Sequence, residues 1–375
     1  MRIYFDNAAT TPLDPEVIAA MTEVMQDAYG NPSSIHAEGR TARTLIEKAR
    51  RTVAQHLNAS IGEIFFTSCG TEANNMALKN AVRDLGVRRI ISSPIEHHCV
   101  LHSLQRLDQE GKVQVEHVRL LPSGAPDTDH LAELLAQDEP KTMVSFMHAN
   151  NEVGALTDLA VVSALCREHG ALFHTDTVQT VGYYPLDVEA TPVSFLAGSA
   201  HKFYGPKGVG FLYMNSDNLI QPYIDGGAQE RNMRGGTENI YGIVGLAKAL
   251  DLACTRREAH EAHIRSLREH LVQGIRTHFP DVTFNGDLEN GHYKVLSLAF
   301  PPSPKAELIL FNLDIAGISV SGGSACSSGS NVGSHVIRNL RGDQDDTTTI
   351  RVSFSHRNTI AEVDRFLEAL REILG

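Results

Sequence analysis

No apolar run in this 375-residue chain reaches the length of a membrane span. The opening residues, MRIYFDNAATTP, carry an acid at Asp6 and lack the apolar stretch of a signal peptide. Positive charge is in deficit: 33 Lys and Arg stand against 45 Asp and Glu, a formal net charge of −12. Phosphate backbones and anionic membrane surfaces both call for a basic face, so neither nucleic acid nor membrane is an expected direct partner. A local pocket for one small anion remains open. Cysteine is sparse. Cys69, Cys99, Cys166, Cys254 and Cys326 are odd in number, scattered, and without a C-x-x-C pair. That argues against a disulfide framework or a zinc ribbon, fits a reducing cytoplasm, and leaves room for one reactive thiol.

What is present is the composition of an ordinary globular protein, 42% apolar and 21% charged. The length suggests two domains, one large and one small. From about residue 40 to 215, short β-rich runs (EIFFTS, RIISSP, VQVEHV, TMVSFMH, ALFHTD, VSFLAGS, GVGFLYM) alternate with helix-like stretches. GTEANNMALKNAVRD follows the first run, and DLAVVSALCREHG is closed by Gly170 at an expected C-cap. This pattern predicts an α/β fold with a mostly parallel sheet covered by helices. A long charged helical segment is expected over roughly 243–278. Strands KVLSLAF, GISVSGG and TTIRVSFS follow, with a helix near 305–313 and a last helix TIAEVDRFLEALREIL, which together suggest a smaller α+β domain.

In open α/β sheets, ligands gather at the carboxyl ends of strands. His148, Asn150 and Asn151 follow TMVSFM, Asp176 ends ALFHTD, and Ser199, His201 and Lys202 close VSFLAGS. Gly70 and Thr71 follow EIFFTS and open a helix, where free N–H groups and the dipole favour an anion. Singly, each has a plain reading: Thr71 a cap, Asp176 a turn former, Lys202 a solvated cation. Together they supply a phosphate site, a carboxylate and an amine at one sheet edge, the set that pyridoxal 5'-phosphate (PLP) requires. The stretch IEHHCVLHS places His98 and His102 four apart with Cys99 between, but lacks the H-E-x-x-H order, so no metal is expected there. His97 lies just after the strand and is placed to face the sheet edge. One thiol stands apart. Cys326 sits in SGGSACSSGS, among residues that offer almost nothing to pack and great backbone freedom.

The run of motifs FDNAATTP, GNPSSIH, FTSCGTEANN, EHH, HANNEVG, HTDTVQTVG, GSAHKFYGPKGVG, RGGTEN, SGGSACSSGS and IRVSFS resembles, in order and over nearly the whole chain, the Nif/Isc-type cysteine desulfurases of the class V aminotransferase-like PLP enzymes. The resemblance implies the fold type I architecture of PLP-dependent transferases, with a large domain over 13–258 and a small domain of 1–12 and 259–375 carrying the cysteine loop. It implies that Lys202 carries PLP, that Asp176 partners the pyridine nitrogen and Gln179 the ring phenolate oxygen, and that His97 stacks on the ring as an acid or base. Gly70, Thr71, Ser199 and His201 match the phosphate cradle, and Thr237 the threonine lent by the other subunit of a homodimer. Asn151 matches the site asparagine, and Arg351 the clamp on the substrate carboxylate, a task suited to its bidentate fork. The implied reaction converts L-cysteine to L-alanine and leaves the sulfur on Cys326 as a persulfide. An acceptor protein then takes that sulfur, for iron–sulfur cluster assembly or tRNA thiolation. A mobile tether would let one sulfur both attack and be delivered. The chain departs from the usual pattern at Ala200 and Ala228, where glycine is common. It also stops at Gly375, where many members continue into a tail that docks a scaffold protein. A selenocysteine lyase or aminotransferase of the same fold would keep Lys202 and Asp176 without needing Cys326. A non-catalytic sulfur-assembly subunit would need none of the three.

Overall fold

The computed structural model describes residues 2–137, 140–322 and 333–375. A short strand β1 (Ile3–Tyr4) and helices α1 (Pro15–Asp27) and α2 (Ala37–Leu57) come first. Asp14 caps α1 by accepting from Glu16 N at 2.9 Å, and Pro15 opens the helix where its missing N–H costs nothing. Strands and helices then alternate: β2 (Ile64–Thr67), α3 (Gly70–Asp84), β3 (Arg89–Ser92), α4 (His98–Gln109), β4 (Gln114–His117), α5 (Thr128–Leu135), β5 (Thr142–Met147), α6 (Leu159–Glu168), β6 (Leu172–Asp176), β7 (Phe195–Ser199) and β8 (Gly210–Met214). Gly170, just past α6, takes the left-handed φ of 65° that the expected helix stop requires.

These strands form one seven-stranded sheet in the order β2-β8-β7-β6-β5-β3-β4, and only β8 runs against the others. Strands β2, β3, β5, β7 and β8 are buried along their whole length. Their unbroken apolar runs follow from cores on both faces. Phe66, Val144, Phe146 and Leu196 join one core with Ile46 of α2 and Val162 of α6, whereas Phe65, Ile90, Met143 and Phe195 join a second with Met76 of α3 and Leu104 of α4. The period of two along each strand thus divides its side chains between two layers of helices.

The remainder comprises α7 (Ile240–Thr255), α8 (Arg257–His278), β9 (Thr283–Asn285), β10 (Val295–Phe300), α9 (Pro304–Glu307), α10 (Ile309–Ile315), β11 (Ile318–Ser319), β12 (Ser321–Gly322), α11 (His335–Arg341), β13 (Thr348–Ser353) and α12 (Ile360–Leu374). The single helical segment expected over 243–278 is two helices, parted at Arg256, whose ψ of 5° leaves the helical range. The helix expected near 305–313 is likewise two, joined at Leu308. Strands β12-β13-β10-β9 make an antiparallel sheet, and β1 pairs with β11 in parallel. Phe5 N donates to Ser319 O at 2.9 Å and Ser353 N to Phe5 O at 2.7 Å, so the first residues of the chain are bound to its last third. The first core continues without interruption into Leu298, Val352 and Phe366 of this region. No helix among the described residues is long and apolar enough to cross a membrane.

Because β8 is reversed, it begins at the edge where its neighbours end: Gly210 lies opposite both Thr67 and Ser199. A Cβ there would stand 2.6 Å from Gly198 O and 2.8 Å from the main-chain carbon of Cys69. Gly210→Ala is therefore expected to push on the turn that opens α3 and to cost about 1–3 kcal/mol, as overpacking typically does. A lower urea midpoint at unchanged slope would show it, and an unchanged midpoint would show that the turn yields freely.

Candidate active site

The carboxyl edge of the large sheet and the first residues of the chain enclose a cavity of about 290 Å³. Ten of the twelve sequence-predicted site residues line it: Gly70, Thr71, His97, Asn151, Asp176, Gln179, Ser199, His201, Lys202 and Arg351. Thr237 does not. It lines a separate depression with Thr67, Ser68 and Arg234. Cys326 lies outside the described residues.

Lys202 ends a short 3-10 turn (Ala200–Lys202) directly after β7. Its Nζ donates to Ala8 O at 2.6 Å and Ala9 O at 2.8 Å, so the FDNAATTP segment forms one wall of the cavity. His201 beside it is held neutral, its pKa lowered to about 3 by burial and by the neighbouring charges of Lys202 and Lys207. Asp176 closes β6. One of its oxygens accepts from Val178 N at 2.9 Å and the other from Asn74 Nδ2 at 2.7 Å. The Asn74 oxygen stands 3.0 Å from His174 Nε2, and His174 Nδ1 2.9 Å from Ser145 Oγ. Burial lowers His174 to about 3, so it is a neutral ring in this chain of contacts, and Asp176 is fixed from behind.

His97 caps α4, accepting from Cys99 N at 3.2 Å, with the Cys99 thiol 3.0 Å from the same nitrogen. Burial lowers its pKa, opposed by Asp176. Arg351, on β13, is 2% exposed. It reaches Asn151 O at 2.8 Å, Asp6 at 2.8 Å and Ser321 Oγ at 2.6 Å. The sheet edge, the N-terminal segment and the small sheet thus meet at one guanidinium. Ser321 precedes the segment 323–332. Ser334, which follows it, donates to Glu152 on the cavity wall. Both flanks of that segment are tied beside the cavity.

The residues fit PLP on their own terms. Ser199 Oγ and Gln179 Oε1 line the cavity, are buried, and lack a hydrogen-bond partner among the described residues. A phosphate would give the Ser199 hydroxyl an acceptor, and with its amide turned so that Nε2 rather than Oε1 faces the cavity, Gln179 would donate to a polar ring oxygen. The helix α3 opens on the cavity with Gly70 and Thr71, and its N-cap Cys69 makes no side-chain cap bond, so its first N–H groups are directed at an anion site. A Cβ at Gly70 would stand 2.6 Å from a Val178 methyl, which keeps that turn closely packed. Among the described residues, no group of three or more His, Cys, Asp and Glu side chains is arranged to hold a metal.

Sequence reasoning missed Asn74, Glu96, Glu152 and His335. Asn74 had a signal, since it lies four residues after Gly70 and so one turn along the face that meets the sheet. Glu96 and Glu152 had none, because only the fold buries them. Burial pushes the Glu96 carboxyl up to about 8, with Asp176 adding to the rise, and pushes Glu152 up to about 7. A carboxyl raised in the folded state holds a proton that the unfolded chain releases near the ordinary glutamate value of 4.5. Folding stability therefore falls as pH climbs from there toward 8. Glu96→Gln mimics the protonated form and is expected to flatten that slope. Between pH 5 and 8.5 the melting temperature of the parent should drop by at least ~3 °C more than that of the variant. Parallel curves would place Glu96 outside the titration.

A family model described as Aminotransferase class-V matches residues 3–366. The chain is 42% identical to the cysteine desulfurase IscS of Dictyoglomus turgidum over 89% of its own length and 84% of that protein. It is 38% identical to the cysteine desulfurase IscS of Methanosarcina thermophila over 99% and 92%. Among solved structures, a NifS-like protein superposes with a TM-score of 0.92 at 37% identity, covering 100% of this chain and 99% of that one. A structure described as SspA in complex with cysteine gives a TM-score of 0.81 at 29% identity, over 96% and 100%.

Proposed function

This chain belongs to the class-V aminotransferase family, and from that membership and its cavity we propose that it is a PLP-dependent cysteine desulfurase. It converts L-cysteine to L-alanine and leaves the sulfur on Cys326. The observation that carries the reading is the meeting of Lys202, Asp176, Gln179, Ser199, His97 and Arg351 around one cavity, in a chain about two-fifths identical to a named cysteine desulfurase.

When bound, PLP supplies an electron sink for the pair released at the substrate α-carbon. Lys202 would carry it, Asp176 would hold a proton on its ring nitrogen, and Gln179 would meet its phenolate oxygen. Gly70, Thr71, Ser199 and His201 would receive its phosphate. His97 would cover the ring and, its pKa lowered by burial, is suited to accept a proton. Arg351 and Asn151 bind the substrate carboxylate. The net change balances without an outside oxidant: the C–S bond of cysteine breaks, an S–S bond forms on Cys326, and the three-carbon fragment keeps the electron pair and is protonated to alanine. The attacking group is a thiolate. Cys99 and Cys166 are held protonated, their pKa values pushed up to about 12 by burial, and Cys254 to about 11. Those three are poor nucleophiles at neutral pH. The four described cysteines are free thiols, in keeping with work in a reducing cytoplasm. An acceptor protein takes the persulfide sulfur for iron–sulfur assembly or tRNA thiolation.

Cys326→Ala is expected to bind PLP like the parent and to lose persulfide and alanine formation from L-cysteine by ~10³-fold or more, the scale of losing a nucleophile. Mass spectrometry of the protein beside an alanine assay checks both. Persulfide at full yield in the variant would assign the chemistry to another thiol.

In this reading each chain divides into a large domain over 13–258 and a small domain of 1–12 and 259–375, and two such chains form a homodimer. Thr237, apart from the cavity of its own chain, serves the phosphate of the partner subunit. Sedimentation of the active enzyme is expected to give a dimer at working concentration. A fully active monomer would remove Thr237 from the site.

A further inference from the structure

Lys294 lies just ahead of β10, fully buried, and no ion pair joins it to a carboxylate among the described residues. Its Nζ donates to Tyr183 Oη at 2.7 Å and to the main-chain carbonyl of Lys202 at 3.1 Å. The Tyr183 hydroxyl donates to that same carbonyl at 2.8 Å. The amine also stands 4.2 Å from the Tyr183 ring centre. Burial depresses the Lys294 pKa well below the ordinary lysine range, and the charges of Lys202 and Arg351 act in the same direction. The two acceptors meet two of its N–H groups.

The surroundings hold this triangle rigidly. Tyr293 Oη donates to the Tyr183 carbonyl at 3.0 Å, and the fully buried His292 stands 3.1 Å from Tyr184 Oη. Tyr204, two residues past Lys202, takes a left-handed φ of 66° and donates to Ser355 Oγ at 2.9 Å. A polar amine in this space carries a desolvation cost that an apolar chain of equal length would avoid. Its contacts converge on one carbonyl, that of Lys202.

We propose that Lys294 is a positioning residue for Lys202: with the Tyr183 hydroxyl, it fixes the Lys202 main chain on the cavity floor and thereby the line along which that side chain enters. The small sheet thus sets the placement of a group on the large one. The inference rests on the reading above that Lys202 carries PLP.

The test uses full-length holoenzyme of Lys294→Met and Tyr183→Phe. Lys294→Met is expected to lower kcat for L-cysteine by ~10-fold or more with KM within ~3-fold, the signature of lost orientation. The visible circular dichroism per bound PLP, which reports how the cofactor is held, should change by about half in that variant, because the cofactor hangs on the side chain that has lost its orientation. Tyr183→Phe should move both in the same direction by less, and it decides the matter if Lys294→Met does not fold. Parental kcat and parental visible dichroism in the folded variants would overturn the proposal. The dichroism needs no turnover. A parent enzyme that carries PLP on Lys202 yet makes no alanine would therefore sink the desulfurase reading and leave this one standing. Finding PLP on another lysine would sink this one.

Discussion

The amine of Lys202 is held by two main-chain carbonyls, those of Ala8 and Ala9, and this contact organises much of what surrounds it. It joins residues almost 200 positions apart in sequence, and ordering so long a loop is entropically costly. That cost is offset by the rest of the N-terminal segment. Phe5 is buried in the first core and bonded on both sides to strands of the last third of the chain. The N-terminal segment, the large sheet and the small sheet therefore cannot shift independently without disturbing the cavity wall. Arg351 repeats the arrangement from the opposite side, reaching Asp6, Ser321 and Asn151 from β13.

Much of this was legible in the sequence, for a physical reason. A doubly covered sheet demands unbroken apolar strands, and TMVSFM or FLAGS has no other good fate in water. Once the strands were placed, their carboxyl ends gave Asp176, Ser199 and Lys202 directly. The fold-level expectation of a mostly parallel sheet held, with β8 as the reversed strand. The segment 243–278 reads as one helix because its residues favour helix throughout; the break at Arg256 comes from packing, since α7 is mostly buried in the core while α8 shows solvent a charged face. Glu96, His174 and Lys294 were illegible for a similar reason. Each is an ordinary polar residue by type, and only the fold encloses it.

Enclosure of that kind divides the buried polar groups into two sorts. Arg50 and Glu230 are paired, with two hydrogen bonds at 2.6 and 3.0 Å, and Glu230 also accepts from Phe66 N. Such a pair meets the hydrogen-bonding needs of both groups. Glu96, Glu152 and Lys294 have no such opposite charge in contact, and all three shift toward their neutral forms. Of the three, Glu152 lines the cavity, Glu96 directly precedes the cavity residue His97, and Lys294 bonds the main chain of Lys202, which lines it as well.

The reversed strand β8 has a meaning for how such a chain tolerates change. At the carboxyl edge, Gly210 enters the sheet between Thr67 and Ser199 with no room for even a methyl group, and turns there also shape the cavity. At the opposite edge, the turn between α4 and β4 is exposed, and Gly111 within it has open space where a side chain would project. Insertions, epitope tags or fluorescent labels belong at that second edge. The sheet thus has one part of its perimeter open to elaboration and one closed to it.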